Sequence, residues 1–309
     1  MLVSVVVCTH RSDHYEEVTR AVDSLLKQTH PEIEIIVVVD GVEESYQKMI
    51  LHYGSQSHIR VIATERSLGA FGAANVGVKA ARGEIVAFMD DDAIAERTWV
   101  ENLIDAYREF DAIAVGGKIL PVWCFGRPDY LPEEMDWLVG VTHEGFAEEN
   151  AVEVRNTFGP NMSFRREVFE RIGLFNEELA FAPPFYIQGA EADFGWRMKQ
   201  ELGKGVIYNP EAVVYHQVSQ SKVKVRALLK RAFCQGYSKA LLRRLNPSGG
   251  VLTVERSYLK RLLMKHIPRR IKGCFSRLDR ATEIKKLSFL IALILSITIG
   301  FLYGYVRRG

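Results

Sequence analysis

The stretch Ile85-Val86-Ala87-Phe88-Met89-Asp90-Asp91-Asp92 decides the fold. Five apolar residues of strand composition run straight into three consecutive carboxylates. A short apolar run without polar alternation suits a strand covered on both faces, as in a parallel sheet flanked by helices. Such sheets bind ligands beyond the carboxyl ends of their strands. Three acids crowded at that edge repel one another unless a cation or a donor-rich ligand sits among them. The simplest occupant is a hard divalent ion, Mn²⁺ or Mg²⁺, bridging carboxylate and phosphate oxygens. A lone Asp here would read as a solvated turn; three in succession point to chemistry on a nucleotide diphosphate.

The residues before this stretch alternate strand and helix. Residues 2–8 (LVSVVVC), 33–39 and 59–63 have strand composition. Residues 16–28 place Val18, Ala21, Val22, Leu25 and Leu26 at helical spacing, and helices over 43–53 and 69–81 follow the next two strands. This alternation predicts an α/β fold with a doubly wound, mostly parallel sheet. After the acids come a helix from Trp99 to Phe110, a strand over 111–120 and a loop over 121–150. Asn156–Phe164 then leads into a helix over 167–172, followed by a helix over 191–202 and short strands at 205–208 and 212–215. Beyond residue 222 the pattern is helical, with breaks at Asn246-Pro247-Ser248-Gly249-Gly250 and at Pro268.

Charge divides the 309 residues sharply, although the formal net is only +2. Residues 1–221 hold 19 Lys and Arg against 35 Asp and Glu; residues 222–286 hold 19 against three. A basic segment suits nucleic acid or an anionic membrane surface. The next 20 residues, LSFLIALILSITIGFLYGYV from Leu287 to Val306, carry no charge and decide for the membrane. At about 1.5 Å per residue they reach across a hydrocarbon core. Lys285, Lys286, Arg307 and Arg308 flank them. The expected organisation is a catalytic domain over 1–221, basic amphipathic juxtamembrane helices over 222–286 and a transmembrane helix over 287–306. Met1-Leu2-Val3 enters a strand without a secretory signal, so the catalytic part is expected in the cytoplasm, held at the cell membrane by a single pass near the C-terminus. The four cysteines are widely spaced and fit a reducing compartment.

Four pieces meet at the sheet edge in this reading. Thr9-His10-Arg11 ends the first strand and Asp40 the second; Thr9 and Asp40 are placed to receive a nucleobase and ribose, although both residue types also favour plain turns. The small residues of Leu68–Gly77, with Gly69 and Asn75 among them, let a helix N-terminus approach a diphosphate, or else allow close helix–sheet packing. Arg66 meets phosphate or lies on the surface. The acid triplet is the fourth piece. Glu191 and Asp193, in the first turn of a later helix, are either dipole partners or a base for an acceptor hydroxyl.

Together these pieces resemble the family 2 glycosyltransferases of GT-A fold. The resemblance runs from residue 2 to about 216 through VSVVVCTHR, SLLKQT, RSLGAFGAANVGVKAARGE, FMDDDA, GPNMSFRREVFERIGLFNEEL, GAEADFGWRMKQELGKG and IYNPEAVVYH. It implies inverting, metal-dependent transfer of a sugar from a nucleotide diphosphate sugar donor, expected to be UDP-linked. By position, Asp92 would hold the divalent metal, and Asp90 and Asp91 would contact ribose, sugar or metal-bound water. Glu191 would be the catalytic base and Asp193 would orient acceptor or base. Asn161 would line the sugar pocket, and His216 would reach metal or diphosphate or be a satisfied surface histidine. Two departures stand out. The usual Glu-Asp base motif is Ala190-Glu191 here, and the Gln-x-x-Arg-Trp signature of processive synthases is absent.

Within the family the chain is most similar to archaeal enzymes that extend a dolichyl-phosphate-linked sugar, of the glucuronosyltransferase type; FCQGYSKA (233–240) adds to this likeness. Lys222, Lys224, Arg226, Lys230 and Arg231 alternate with apolar residues, as on a helix lying at head groups. The implied partners are a lipid-phosphate-linked acceptor and the membrane, without nucleic acid. The alternatives are a polyprenyl- or dolichyl-phosphate monosaccharide synthase and a non-catalytic nucleotide-sugar-binding protein at the membrane. A nucleotidyltransferase is disfavoured because THRSDHYEE lacks a glycine-rich phosphate loop.

Overall fold

A computed structural model describes residues 1–147, 150–179, 187–247, 249–275 and 280–307. Ser248 in the Asn246–Gly250 break, Arg308 after the apolar segment, and Glu148 and Glu149 in the 121–150 loop lie outside the described residues. Two compact units emerge: residues 1–121, 147–181 and 190–217 form the first, and 122–146, 182–189 and 218–309 the second. The second is therefore discontinuous in sequence.

The first unit opens as the sequence predicts. β1 (Val3–Thr9), α1 (Tyr15–Leu25), β2 (Ile33–Asp40), α2 (Glu43–Tyr53), β3 (Ile59–Thr64), α3 (Ala70–Ala80) and β4 (Ile85–Asp90) alternate in order. They continue through β5 (Ala93–Ala95), α4 (Trp99–Glu109), β6 (Ala114–Trp123), β7 (Val152–Val154), β8 (Met162–Arg165), α5 (Arg166–Ile172), α6 (Ala190–Leu202) and β9 (Val206–Val218). The sheet order is β3-β2-β1-β4-β8-β6-β9-β5, with β7 added to β9. The β3-β2-β1-β4 half is parallel, and the pairs β4/β8, β6/β8, β5/β9 and β7/β9 are antiparallel. β5, β7 and β8 are three or four residues long, too short to show a period in the sequence. β9 joins the two predicted short strands. Pro210 interrupts the pattern because it cannot donate to a ladder, but the strand carries through it, and Asn209 Oδ1 accepts the Glu211 N–H at 3.1 Å.

Alternation along the strands builds two cores. Val3, Val5 and Val7 pack with α1, α2 and α4 residues such as Leu25, Tyr53 and Trp99, while Val6, Ile36 and Val38 pack with α3, α5 and α6. Phe88, Phe164, Phe169, Phe175 and Phe194 cluster in the second core, the Phe175 and Phe194 centroids 4.6 Å apart. Each fully buried ring contributes about 1.5–3 kcal/mol of transfer free energy. A side chain at Gly77 would strike Val6, so α3 needs its small residues to lie this close to β1.

The second unit is helical. After a 3₁₀ turn over Glu133–Val139 come α7 (Gln220–Val223), α8 (Val225–Leu245) and α9 (Thr253–Arg261). A π turn over Leu262–His266 leads into α10 (Ile267–Gly273) and then α11 (Arg280–Val306). The helix runs unbroken from Thr253 to Gly273, so the break expected at Pro268 does not occur; the π turn just before it is where the ladder adjusts to a residue that lacks an N–H. Arg270, buried, is held by Glu134 (Nε to Oε1, 2.6 Å), Glu133 (Nη2 to Oε2, 2.7 Å) and Glu283. α11 is long and apolar enough to cross a membrane by length and composition.

Candidate active site

Register brings the strand ends to one edge. Thr9 pairs with Val39, Asp40 with Thr64 and Cys8 with Asp90. Burial pushes the Cys8 thiol well above its ordinary value, and Asp90, Asp91 and Asp40 add to the shift, so three acids of the constellation surround one point. A thiol that holds its proton this firmly suits packing better than nucleophilic chemistry.

The triplet splits by direction. Asp90 ends β4, and the turn at Asp91-Asp92 enters β5, which pairs with β9 so that Ala93 faces His216. The Gln217 N–H donates to the Asp92 carbonyl at 3.0 Å and fixes the turn. His216 is buried, with Nε2 3.0 Å from Asp92 Oδ1. Ligand atoms of Asp90, Asp92 and His216 all lie within 4.8 Å of one another. Asp91 faces His14 instead, Oδ2 to Nδ1 3.7 Å, and raises the imidazole above its ordinary value. Asp91 Oδ2 and Thr9 Oγ1 are buried without a hydrogen bond. Two carboxylates and an imidazole around one point, with orphaned oxygens beside them, fit a divalent ion such as Mn²⁺ or Mg²⁺ and a polar ligand.

Asp40 organises the next loop. Its carboxylate accepts hydrogen bonds from Thr64 Oγ1 (2.9 Å), Ser67 Oγ (2.9 Å), Leu68 N (2.7 Å) and Gly69 N (2.9 Å). Gly69 has φ +77° immediately before α3, and Gly41 has φ +71° with its Cα against the Ser67 backbone. Only glycine takes that conformation without strain. The loop is thereby pinned to the β2 end and α3 is delivered to the edge. Arg66 is exposed, and Arg11 is exposed and bidentate to Asp13, 2.9 and 2.6 Å.

Glu191 opens α6 on the same edge. A Cβ on Gly159 would come within 3.7 Å of Asp90 Oδ1 and 3.8 Å of Glu191 Oε1, so both carboxylates lie close to that glycine. Three other predicted site residues spend their side chains on the scaffold. Asp193 is buried and receives Arg197 Nε at 2.8 Å, while Arg197 also donates to the Ile172 and Leu174 carbonyls. Asn161 is buried, accepting from Trp99 Nε1 at 2.9 Å and donating to the carbonyls of Lys118 and Ala212. Asn75 donates to the Phe175 carbonyl and Glu177 Oε1, and accepts the Phe175 N–H.

The structure thus gathers Thr9, Asp40, Asp90, Asp91, Asp92, His216 and Glu191 at one edge. Sequence reasoning passed over His14, Ser67 and Gly159. Their only signal was position, each lying in a loop that follows or precedes a strand named for other residues.

The comparisons agree with this geometry. The sequence profile of glycosyl transferase family 2 matches residues 4–173. Glucosyl-dolichyl phosphate glucuronosyltransferase of Haloferax volcanii is 34% identical over 98% of this chain and 96% of its own length. A UDP-Glc:alpha-D-GlcNAc-diphosphoundecaprenol beta-1,3-glucosyltransferase, WfgD of Escherichia coli, is 31% identical over 34% of this chain and 38% of its own. The crystal structure of GalNAc-T7 with UDP, GalNAc and Mn²⁺ superposes with a TM-score of 0.57 at 16% identity, covering 88% of this chain and 57% of that one, a likeness of fold. The chain belongs to glycosyl transferase family 2, as a glycosyltransferase with a GT-A-like fold and an apolar C-terminal helix.

Proposed function

We propose that the chain transfers a sugar, with inversion, from a nucleotide diphosphate sugar of UDP type to a lipid-phosphate-linked saccharide, building a lipid-linked disaccharide for glycan assembly. The observation that carries the reading is the approach of Glu191 and Asp90 to the same point at Gly159, with Asp92 paired to His216. Donor and acceptor chemistry meet there. Thr9, the Asp40-pinned loop and the α3 N-terminus receive nucleoside and diphosphate. Asp90, Asp92 and His216 would hold the divalent ion, with Asp91 directed toward ribose or water on that ion. Such an ion supplies charge neutralisation to the departing diphosphate. Glu191 takes the proton of the acceptor hydroxyl, whose oxygen bonds to the anomeric carbon as the bond to the diphosphate oxygen breaks. Asp193, Asn161 and Asn75 position the elements that carry these groups, through Arg197, Trp99 and Phe175 respectively.

The acceptor assignment draws on the name of the Haloferax volcanii relative and on the apolar helix α11. In this reading α11 keeps the second unit at the cell membrane, with the cation excess of residues 222–286 on the cytoplasmic side. The test supplies UDP-glucuronate and UDP-glucose, each with Mn²⁺ or Mg²⁺, to two acceptors, dolichyl phosphate and glucosyl-dolichyl phosphate, with mass spectrometry of the lipid products. A disaccharide on the sugar-bearing lipid alone is expected. Product on bare dolichyl phosphate would make the chain a monosaccharide synthase, and product on soluble acceptors alone would remove the lipid from the account.

A further inference from the structure

How α11 meets the membrane is set by its partner. α8 and α11 run side by side in the same direction. The Ser296 hydroxyl donates to the Leu229 carbonyl at 2.8 Å, the Phe233 and Tyr303 rings lie 5.7 Å apart, and Arg244 Nη1 reaches the Arg307 carbonyl at 3.4 Å. Glycines make the seam: a Cβ at Gly236 would strike the Ile297 carbonyl, and one at Gly300 the Phe233 carbonyl. Two helices this close enter or leave a bilayer together.

α8 is unsuited to the hydrocarbon. Lys230 and Arg231 lie level with Ser296, the middle of the apolar segment, and charges at mid-bilayer are strongly disfavoured. The other side of α8 is fastened to polar chain: Arg231 Nη1 donates to the Leu138 carbonyl, and Ser238 Oγ accepts the Gln188 N–H at 2.9 Å. A crossing α11 would drag these groups inward. Away from the seam, α11 shows one unbroken apolar stripe. Ile291, Leu295, Ile299, Leu302 and Val306 are 47, 56, 58, 56 and 76% exposed. Their spacing keeps them on one face over roughly 22 Å. The neighbouring α9–α10 run adds exposed Leu263, Met264 and Ile271 among the exposed Lys260, Lys265 and Lys272.

We propose that the exposed stripe of α11 is a docking surface for an anionic lipid bilayer, and that the helix lies along the head-group boundary with α8 behind it. The stripe sinks into the acyl edge while the surrounding cations meet anionic head groups. This rests on the membrane association proposed above and replaces the expected crossing with a flat contact: a helix lying flat offers the lipid-linked acceptor's phosphate at the level of the protein.

The test is a depth profile. In the full chain with Cys8, Cys124, Cys234 and Cys274 replaced, spin labels go singly at positions 291, 295, 299 and 302, in vesicles of phosphatidylcholine and phosphatidylglycerol in about equal parts. Flat docking gives one shallow depth at all four sites, about 5–10 Å below the head groups. A depth that runs from shallow at 291 to mid-bilayer near 295–299 overturns the proposal, and so does protein that stays off the vesicles. Should the cysteine-free chain fold poorly, Arg307→Cys in the natural chain serves instead. Flat docking leaves it open to an impermeant maleimide added outside, with peptide mapping of the labelled site; crossing shields it. Neither readout involves sugar transfer, so failure here leaves the enzymatic reading intact.

Discussion

Two groups of acids with a histidine occur at similar spacing and are partnered differently. In the first unit, Asp90, Asp92 and His216 have ligand atoms within 4.8 Å; in the second, Glu134, Glu144 and His266 do too. The difference lies in what faces them. Arg270 clasps Glu134, and Arg269 is bidentate to Glu144 at 2.6 and 2.8 Å. In the first group Asp92 lies beside an imidazole instead, His216 Nε2 at 3.0 Å from its Oδ1. A guanidinium brings its own positive charge and locks a carboxylate into architecture. An imidazole is neutral when it ligates and leaves the charge to be supplied by a cation. Residue type and spacing therefore do not separate a metal site from a salt-bridge network; the identity of the neighbouring base does.

The comparison breaks most visibly at Arg270. Replacing it with Met leaves the buried Glu134 with the longer Arg269 contact at 3.8 Å, and a loss of about 3–5 kcal/mol is expected. Urea unfolding monitored on the second unit checks this, and an unchanged midpoint contradicts the structural role. At the proposed metal group, Asp92→Asn is expected to weaken Mn²⁺ activation of transfer by about 10–100-fold. Glu144→Gln is expected to leave the Mn²⁺ dependence untouched, and equal effects from the two would erase the distinction. A smaller effect belongs to the loop held by Asp40. Ser67→Ala removes one of its four hydrogen bonds and should raise the donor KM several-fold, for a loss of about 1 kcal/mol, with little change in kcat.

Acid titration sharpens the contrast from the second unit. Burial disfavours the Glu133 charge, but Lys286 and Arg270 outweigh it and bring the carboxyl from 4.5 down to about 2. A depressed folded-state value gives stability that is complete above pH 4.5 and is lost as pH falls toward 2. Glu133→Gln should therefore flatten the stability profile of the second unit in that window alone.

Much of this was legible in the chain because the signals were local. The β1–α3 alternation follows from runs such as VSVVVC and from the helical spacing of Val18, Ala21, Val22 and Leu25, each satisfied by burial on one or both sheet faces. The acid triplet and Glu191 were visible as residue types at element ends. The work of Asn75, Asn161 and Asp193 was not, because their partners Phe175, Trp99 and Arg197 are set by tertiary approach or by a rotamer choice. β5 was hidden for a related reason: three residues have no period, and its pairing with β9 decides its state. In α8, Leu228 and Ala232 proved to be buried in protein, since apolar spacing alone does not say whether lipid or a neighbouring helix covers a face.

The central claim is that Glu191 is the base of a sugar transfer at this edge. Its direct test is single-turnover transfer to glucosyl-dolichyl phosphate by Glu191→Gln, with donor and Mn²⁺ saturating. The account predicts a rate lower by about 10²–10⁴-fold with donor affinity retained. Turnover equal to that of the natural chain would contradict it.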